Sequence, residues 1–125
     1  MTNFMQNMPS MNKGLSVWDI WLAYIHFEDK PKVGKVRPVL LVAVREQACA
    51  VVKLTTVSVR PDTFDIPLSR WKESGLVAPT TARCDQIIIL NTRDILRSEP
   101  LGRLQPTDFA PVTAALIASG NLARL

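Results

Sequence analysis

The chain has 125 residues, 47% of them apolar, and a formal charge of +4 with a pI near 9.4. That length holds one domain with one core and leaves too little for two, and the apolar share excludes a chain that is disordered throughout. The mild basic bias fits an anionic partner such as nucleic acid without specifying one.

Residues 1–13 are polar and hold all four methionines, Met1, Met5, Met8 and Met11. They have no apolar core for a signal peptide and read as a disordered tail. Residues 14–125 then form a single domain. Residues 17–27, rich in aromatic and β-branched side chains, predict a first strand. Residues 28–36 carry Pro31, Gly34 and three lysines, Lys30, Lys32 and Lys35, and predict a loop that ends beside Arg37. Residues 38–44 (PVLLVAV) are nearly continuously apolar, as a strand buried on both faces would be. After the turn Arg45-Glu46-Gln47, residues 48–56 (ACAVVKLTT) predict a third strand, antiparallel to the second because so short a link cannot make a parallel crossover.

Residues 57–63 should be an exposed loop and 64–68 a short fourth strand. Ser69 is placed to cap one helical turn over 70–74, with Gly75 as its stop. Residues 80–90 predict a fifth strand and 91–104 mixed turns. Residues 106–119 predict an Ala-rich helix stopped by Gly120. With Asp108 as its N-cap, Pro111 would fall at the third helical position, where a missing N–H costs no bond. Phe109, Val112, Leu116 and Ile117 have helical spacing and read as core packing. Short strands with one terminal helix predict an α+β domain, a small and strongly bent barrel with helical additions.

Cys49 and Cys84 lie far apart in apolar context, with no CxxC spacing. They read as reduced core thiols in a cytoplasmic protein. With His26 the only histidine, neither a metal nor another cofactor is expected. No segment reaches the roughly 18 apolar residues of a membrane span, so no membrane partner is expected.

The chemistry-bearing segment is Arg83-Cys84-Asp85-Gln86, at the head of the apolar run Ile87–Leu90. In an extended segment Arg83 and Asp85 point the same way and Cys84 points opposite, into the core. A guanidinium can hold a phosphate while a carboxylate takes a proton. The same two residues also make a plain surface ion pair, which stabilises little. Arg37 offers a second fork for phosphate oxygens, or else belongs to a solvated basic loop. Lys53 and Arg60 either widen the basic surface or are solvated. Trp18, Trp21 and Trp71 read as core or interface residues before base-stacking ones.

Five pieces in order carry a resemblance: Ile20-Trp21, Lys35-Val36-Arg37-Pro38-Val39-Leu40, Leu54-Thr55-Thr56, Arg83-Cys84-Asp85-Gln86 and Leu101-Gly102-Arg103-Leu104. Together they resemble the PemK/MazF-like toxins of type II toxin–antitoxin systems, from about Gly14 to the C-terminus. The resemblance implies a homodimeric SH3-like barrel acting as a metal-independent endoribonuclease. Such a hydrolase cuts single-stranded RNA by attack of a 2′-OH on the adjacent phosphate. It implies an acidic antitoxin that lays a flexible segment over the RNA groove. It implies Arg37, Thr55, Arg83 and Asp85 as catalytic, with Thr56 beside them as substrate-binding. Lys32, Lys35, Gln86 and His26 are expected to bind substrate from their own chemistry and placement. Asp85 would take the 2′-OH proton, and Arg83 would stabilise the phosphorane. The loop histidine of some members falls at Pro31 here, and their Glu-Gln pair at Lys32-Val33. Two alternatives follow from those departures and from the fold: a degenerate barrel that binds RNA without cutting it, and a DNA gyrase poison. The retained Arg-x-Asp argues against the second.

Overall fold

The computed structural model describes residues 14–61 and 63–121. The disordered-tail reading of residues 1–13 therefore concerns residues outside that range. Strands β1 (Asp19–His26), β2 (Gly34–Val44), β3 (Ala48–Thr55), β4 (Asp65–Pro67), β5 (Thr81–Asn91) and β6 (Gly102–Arg103) are followed by helix α1 (Pro106–Ala118). They form a curled antiparallel sheet in the order β4-β5-β3-β2-β1-β6, with α1 packed on one face. This is the bent α+β architecture that the run of short strands predicts.

Alternation sorts the side chains to two faces. On one, Ile20, Leu40, Val52, Leu54, Ala82 and Cys84 pack against Val112, Ala115 and Leu116 of α1. Each large aliphatic side chain buried there stabilises the fold by about 1.5–3 kcal/mol. On the other, Trp21, Ala23, Val39, Leu41 and Val51 pack with Leu15, Leu90 and Ile95. Trp21 is fully buried, with its indole N–H directed at Asp19 Oδ2 at 3.3 Å. Trp18 enters β1 with φ 77, a strained value for a bulky residue. Three contacts over-determine it. Its N–H donates to Leu41 O at 2.8 Å, its carbonyl accepts from Leu104 N–H at 2.8 Å, and its ring stacks on Phe109 at 4.9 Å.

Three local expectations are corrected. Residues 34–36 belong to β2, not to the loop, because Gly34, Lys35 and Val36 pair with His26, Ile25 and Tyr24 of β1. Arg37 is thus a mid-strand residue opposite Ala23. Ser69 does not cap the turn at 70–75 by itself. The Asp108 carboxylate, buried at the start of α1, accepts from Ser69 N–H at 3.0 Å, Ser69 Oγ–H at 2.7 Å and Arg70 N–H at 3.1 Å. Committed to that task, Asp108 is not the N-cap. Gln105 holds that position, Pro106 is the first helical residue, and Pro111 lies inside the helix.

The segment Leu101-Gly102-Arg103-Leu104 owes its glycine to a backbone crossing. Gly75 has φ +92, and a Cβ there would stand 2.1 Å from Leu101 O. A Cβ on Gly102 would stand 2.1 Å from Ser74 O.

Candidate functional site

The site is built around a break in the sheet. Along β3 and β5, Val52 pairs with Ile87 but the next residue, Lys53, pairs with Arg83. Cys84, Asp85 and Gln86 therefore have no partner on β3, and they bulge. The Cys84 side chain still points into the core and is fully buried, as expected. Burial pushes its thiol up to about 12, and that of buried Cys49 up to about 11, so both are inert. The Cys84 N–H donates to Phe64 O at 3.1 Å. Its carbonyl accepts from Ser119 Oγ–H at 3.2 Å and Asn121 Nδ2–H at 3.1 Å, at the end of α1. The bulge is thus tied on both sides, and it lifts Asp85 to the surface.

Cross-strand pairing then gathers charge on one face. Lys53 of β3 lies opposite Val39 of β2 and Arg83 of β5, and Arg83 lies opposite Asp65 of β4. Directly opposed residues share a face, as do residues two apart on a strand. Arg37, two residues before Val39, and Thr55, two after Lys53, therefore belong to the same face. The Lys53 ammonium is held below its usual range first by burial, then by the charges of Arg83, Arg37, Arg60 and Lys35. That list maps the site: the cations acting on Lys53 come from β2, β5 and the loop after β3. The buried Nε of Arg83 has no hydrogen-bond partner among the described residues.

Beside this cluster runs an open groove of about 540 Å³ lined by His26, Glu28, Lys53, Asp85, Gln86 and Ile88, among others. His26 sits at the end of β1 with Nδ1 at 2.8 Å from Pro31 O and Nε2 at 3.4 Å from Asp94 Oδ1. The one histidine therefore reaches the groove. Thr55 Oγ1 accepts from Val57 N–H at 3.2 Å, which leaves its own proton free to donate. Thr56 goes elsewhere, to a separate cleft of about 340 Å³ with Ser58, Trp71 and Pro79. Lys35 contributes its field to the cluster, whereas Lys32 is exposed in the loop before β2 and is neither in the groove lining nor among the charges on Lys53.

Two pairs stand out only in three dimensions. Arg60 donates from Nε to Asp65 Oδ2 at 2.9 Å and from Nη2 to Asp65 Oδ1 at 2.8 Å, and the same Nη2 lies 3.4 Å from Asp85 Oδ1. These hydrogen bonds hold the Asp65 carboxyl down at about 2 despite its burial. The available signal was a carboxylate inside the short apolar run 64–68. Asp94, beside His26, comes from a single 3-10 turn (Thr92–Asp94) and had no signal at all.

The assembled face can hold a polyanion, present a carboxylate to it and donate a hydroxyl hydrogen bond. Among the described residues no group of three metal-ligating side chains occurs, and no helix is long and apolar enough to cross a membrane. Residues 16–119 match the profile of a family described as PemK-like, MazF-like toxin of type II toxin-antitoxin system. Among solved structures, the Mycobacterium tuberculosis toxin MazF-mt6 superposes with a TM-score of 0.63 at 24% identity, over 82% of this chain and 96% of that one. An endoribonuclease from mycobacterial species gives 0.61 at 16% identity, over 83% and 89%. A chain of MazE-MazF (Form-II) from Deinococcus radiodurans gives 0.63 at 17% identity, over 89% and 96%. At these identities each shows a shared fold. No curated protein matches the chain.

Proposed function

The chain belongs to the PemK-like, MazF-like toxins of type II toxin–antitoxin systems, and from that premise we propose that it is an endoribonuclease acting on single-stranded RNA. The observation that carries this reading is the convergence of Lys35, Arg37, Lys53, Arg60 and Arg83 beside a groove that holds the exposed carboxylate of Asp85. A cluster of like charges is costly in a folded protein unless an anion answers it, and a phosphodiester backbone does.

The chemistry follows from the side chains. The Asp85 carboxylate takes the proton of a ribose 2′-OH as that oxygen attacks the adjacent phosphorus. Arg37 and Arg83 hold the non-bridging oxygens as their charge grows. Thr55 donates its free hydroxyl proton to the same phosphate. Gln86, beside Asp85 in the groove, offers an amide to a base edge. The products are a 2′,3′-cyclic phosphate and a 5′-hydroxyl. The family premise adds two partners to the proposal: a second copy of the chain, and an antitoxin whose acidic segment competes with RNA for the cations. The MazE-MazF structure among the neighbours supports such a partner.

The experiment is incubation of purified protein with single-stranded RNA in excess EDTA. Cleavage with cyclic phosphate ends is expected, together with its loss in Arg37→Ala and Asp85→Ala. No cleavage by the wild type, or equal cleavage by the variants, would refute the assignment. A salt-sensitive gel shift without cutting would then mark a non-catalytic RNA binder.

A further inference from the structure

We propose that Lys53 is the general acid of this site, the group that protonates the departing 5′-oxygen. The assignment rests on the ribonuclease reading above. Transesterification needs a proton at two places: one leaves the 2′-oxygen and one must reach the 5′-oxygen. Asp85 serves the first. For the second, the arginines are poor candidates, because guanidinium hardly releases its proton. Arg60 is poorer still, since its hydrogen bond to Asp65 raises its hold on the proton. His26 has both ring nitrogens directed at acceptors, Pro31 O and Asp94 Oδ1, and neither faces the groove unengaged.

Lys53 differs from all of these. It lines the groove together with Asp85 and Gln86. It lies directly opposite Arg83 across the β3–β5 ladder, beside the bulge that presents Asp85. Among the described residues its ammonium makes no hydrogen bond or ion pair, so its protons are available. It is half-buried among four cations, and both effects loosen its proton, burial first. In sequence it is the one charged residue in the strand Ala48–Thr55. For gripping phosphate alone, an arginine would serve that position better. A lysine with a loosened proton is suited to giving it away.

The step balances. As the 2′-oxygen passes its proton to Asp85 and bonds to phosphorus, the P–O5′ bond breaks and O5′ takes a proton from Lys53 Nζ. The cyclic phosphate and the 5′-hydroxyl leave behind a protonated Asp85 and a neutral Lys53. Transfer of one proton from the carboxyl to the amine, through solvent, restores both.

The test compares ordinary RNA with RNA carrying sulfur in place of the bridging 5′-oxygen at the cleaved linkage. Thiolate departs without protonation. Lys53→Arg keeps the positive charge but removes the transferable proton. It is expected to slow cleavage of ordinary RNA by about 10²–10⁴-fold and of the sulfur substrate by less than about tenfold. Equal slowing on both substrates, or ordinary cleavage within about threefold of wild type, would overturn the acid role while leaving the ribonuclease reading intact. The wild type alone supplies a second arm that does not depend on the variant's folding. Its rate on ordinary RNA should fall at alkaline pH as Lys53 loses its proton, while the rate on the sulfur substrate holds. Parallel profiles would overturn the proposal. If the wild type cuts neither substrate, the ribonuclease reading itself falls and the assignment falls with it.

Discussion

Arg60 clasps Asp65 through two parallel hydrogen bonds, Nε to Oδ2 at 2.9 Å and Nη2 to Oδ1 at 2.8 Å, and its backbone N–H adds a third to Oδ2 at 3.0 Å. The bidentate fork fixes the loop after β3 to β4 and delivers the outer nitrogen to Asp85. Asp65 is buried and Arg60 is one-third exposed, so the pair is worth more than a surface bridge and less than a fully buried one.

That pair predicts an acid-sensitive fold. The hydrogen bonds of Arg60 hold the Asp65 carboxyl at about 2, below the ordinary 3.8. A carboxyl depressed in the folded state lends stability that is fully present above its unfolded value and is lost as pH falls from there through its folded value. Asp65→Asn is therefore expected to cost about 1–2 kcal/mol near neutrality, discounted for the exposure of Arg60, and to flatten the decline between about pH 4 and 2. Urea midpoints measured across that range check it. Parallel pH dependences in the two proteins would contradict it.

Lys53 predicts the opposite sign. Its ammonium is disfavoured in the folded state, by burial and then by Arg83, Arg37, Arg60 and Lys35. The unfolded chain thus binds that proton more tightly, and stability rises with pH between the folded value and the ordinary 10.5. Lys53→Met should raise the melting temperature at pH 7 by a few degrees and remove this alkaline gain. Inorganic polyphosphate should stabilise the wild type more than the variant, since it binds the folded protein through the same charges. A variant that melts lower would show that the lysine stem contributes more than its charge costs.

The arginines are expected to separate by role. Arg83→Ala should lower kcat by about 10²–10³-fold with a smaller change in KM, as for removal of a donor that tightens in the transition state. Arg37→Lys should retain charge but lose the bidentate grip, with an intermediate defect. For binding alone, each phosphate-contacting cation removed should reduce the slope of log K against log salt by about one. Single-turnover kinetics and salt titrations measure these directly.

Gly75 and Gly102 make a structural prediction far from the groove. Alanine at either would drive a methyl into a backbone carbonyl at 2.1 Å, and at Gly75 also at φ +92. Each should cost on the order of 3 kcal/mol or more, or prevent folding. Gly120→Ala, with φ +80 but nothing within 4 Å, should cost only about 1–2 kcal/mol. Thermal melts of the three variants rank the two effects.

The strands were legible because β-branched and apolar runs alternate with Pro, Gly and charge, and five of them fell within a few residues of their observed limits. The loop at 28–36 was overread, because Gly34 and lysines signal a turn locally while pairing with β1 overrides that signal. The terminal helix was found but its cap was not. Asp108 caps a different segment, 39 residues away from Ser69 in sequence, and no local rule foresees that. Arg83 and Asp85 were legible through spacing of two along an extended segment, whereas Arg37 and Thr55 joined them only through the family resemblance, Arg37 having read as the end of a loop that pairing makes a strand. The bulge was not, because it is a property of two strands measured against each other. Asp65 and Asp94 were invisible as site neighbours for the same reason, and Arg60 was legible only as a cation that widens the basic surface, without its carboxylate partners. Thr56, the first residue past the end of β3, lines a separate cleft, and the sequence does not mark where the strand ends.

The carbonyl of Cys84 lies between Arg83 and Asp85, and both of its donors come from the last residues described, Ser119 and Asn121. The turn after α1 is therefore a fastener for the middle of the groove. A nick or a premature stop just before Ser119 would strip both donors from a buried acceptor, at about 1–3 kcal/mol, and free the bulge to relax toward a regular ladder. Loss of the turn after α1 would then silence the groove while leaving every residue that lines it in place.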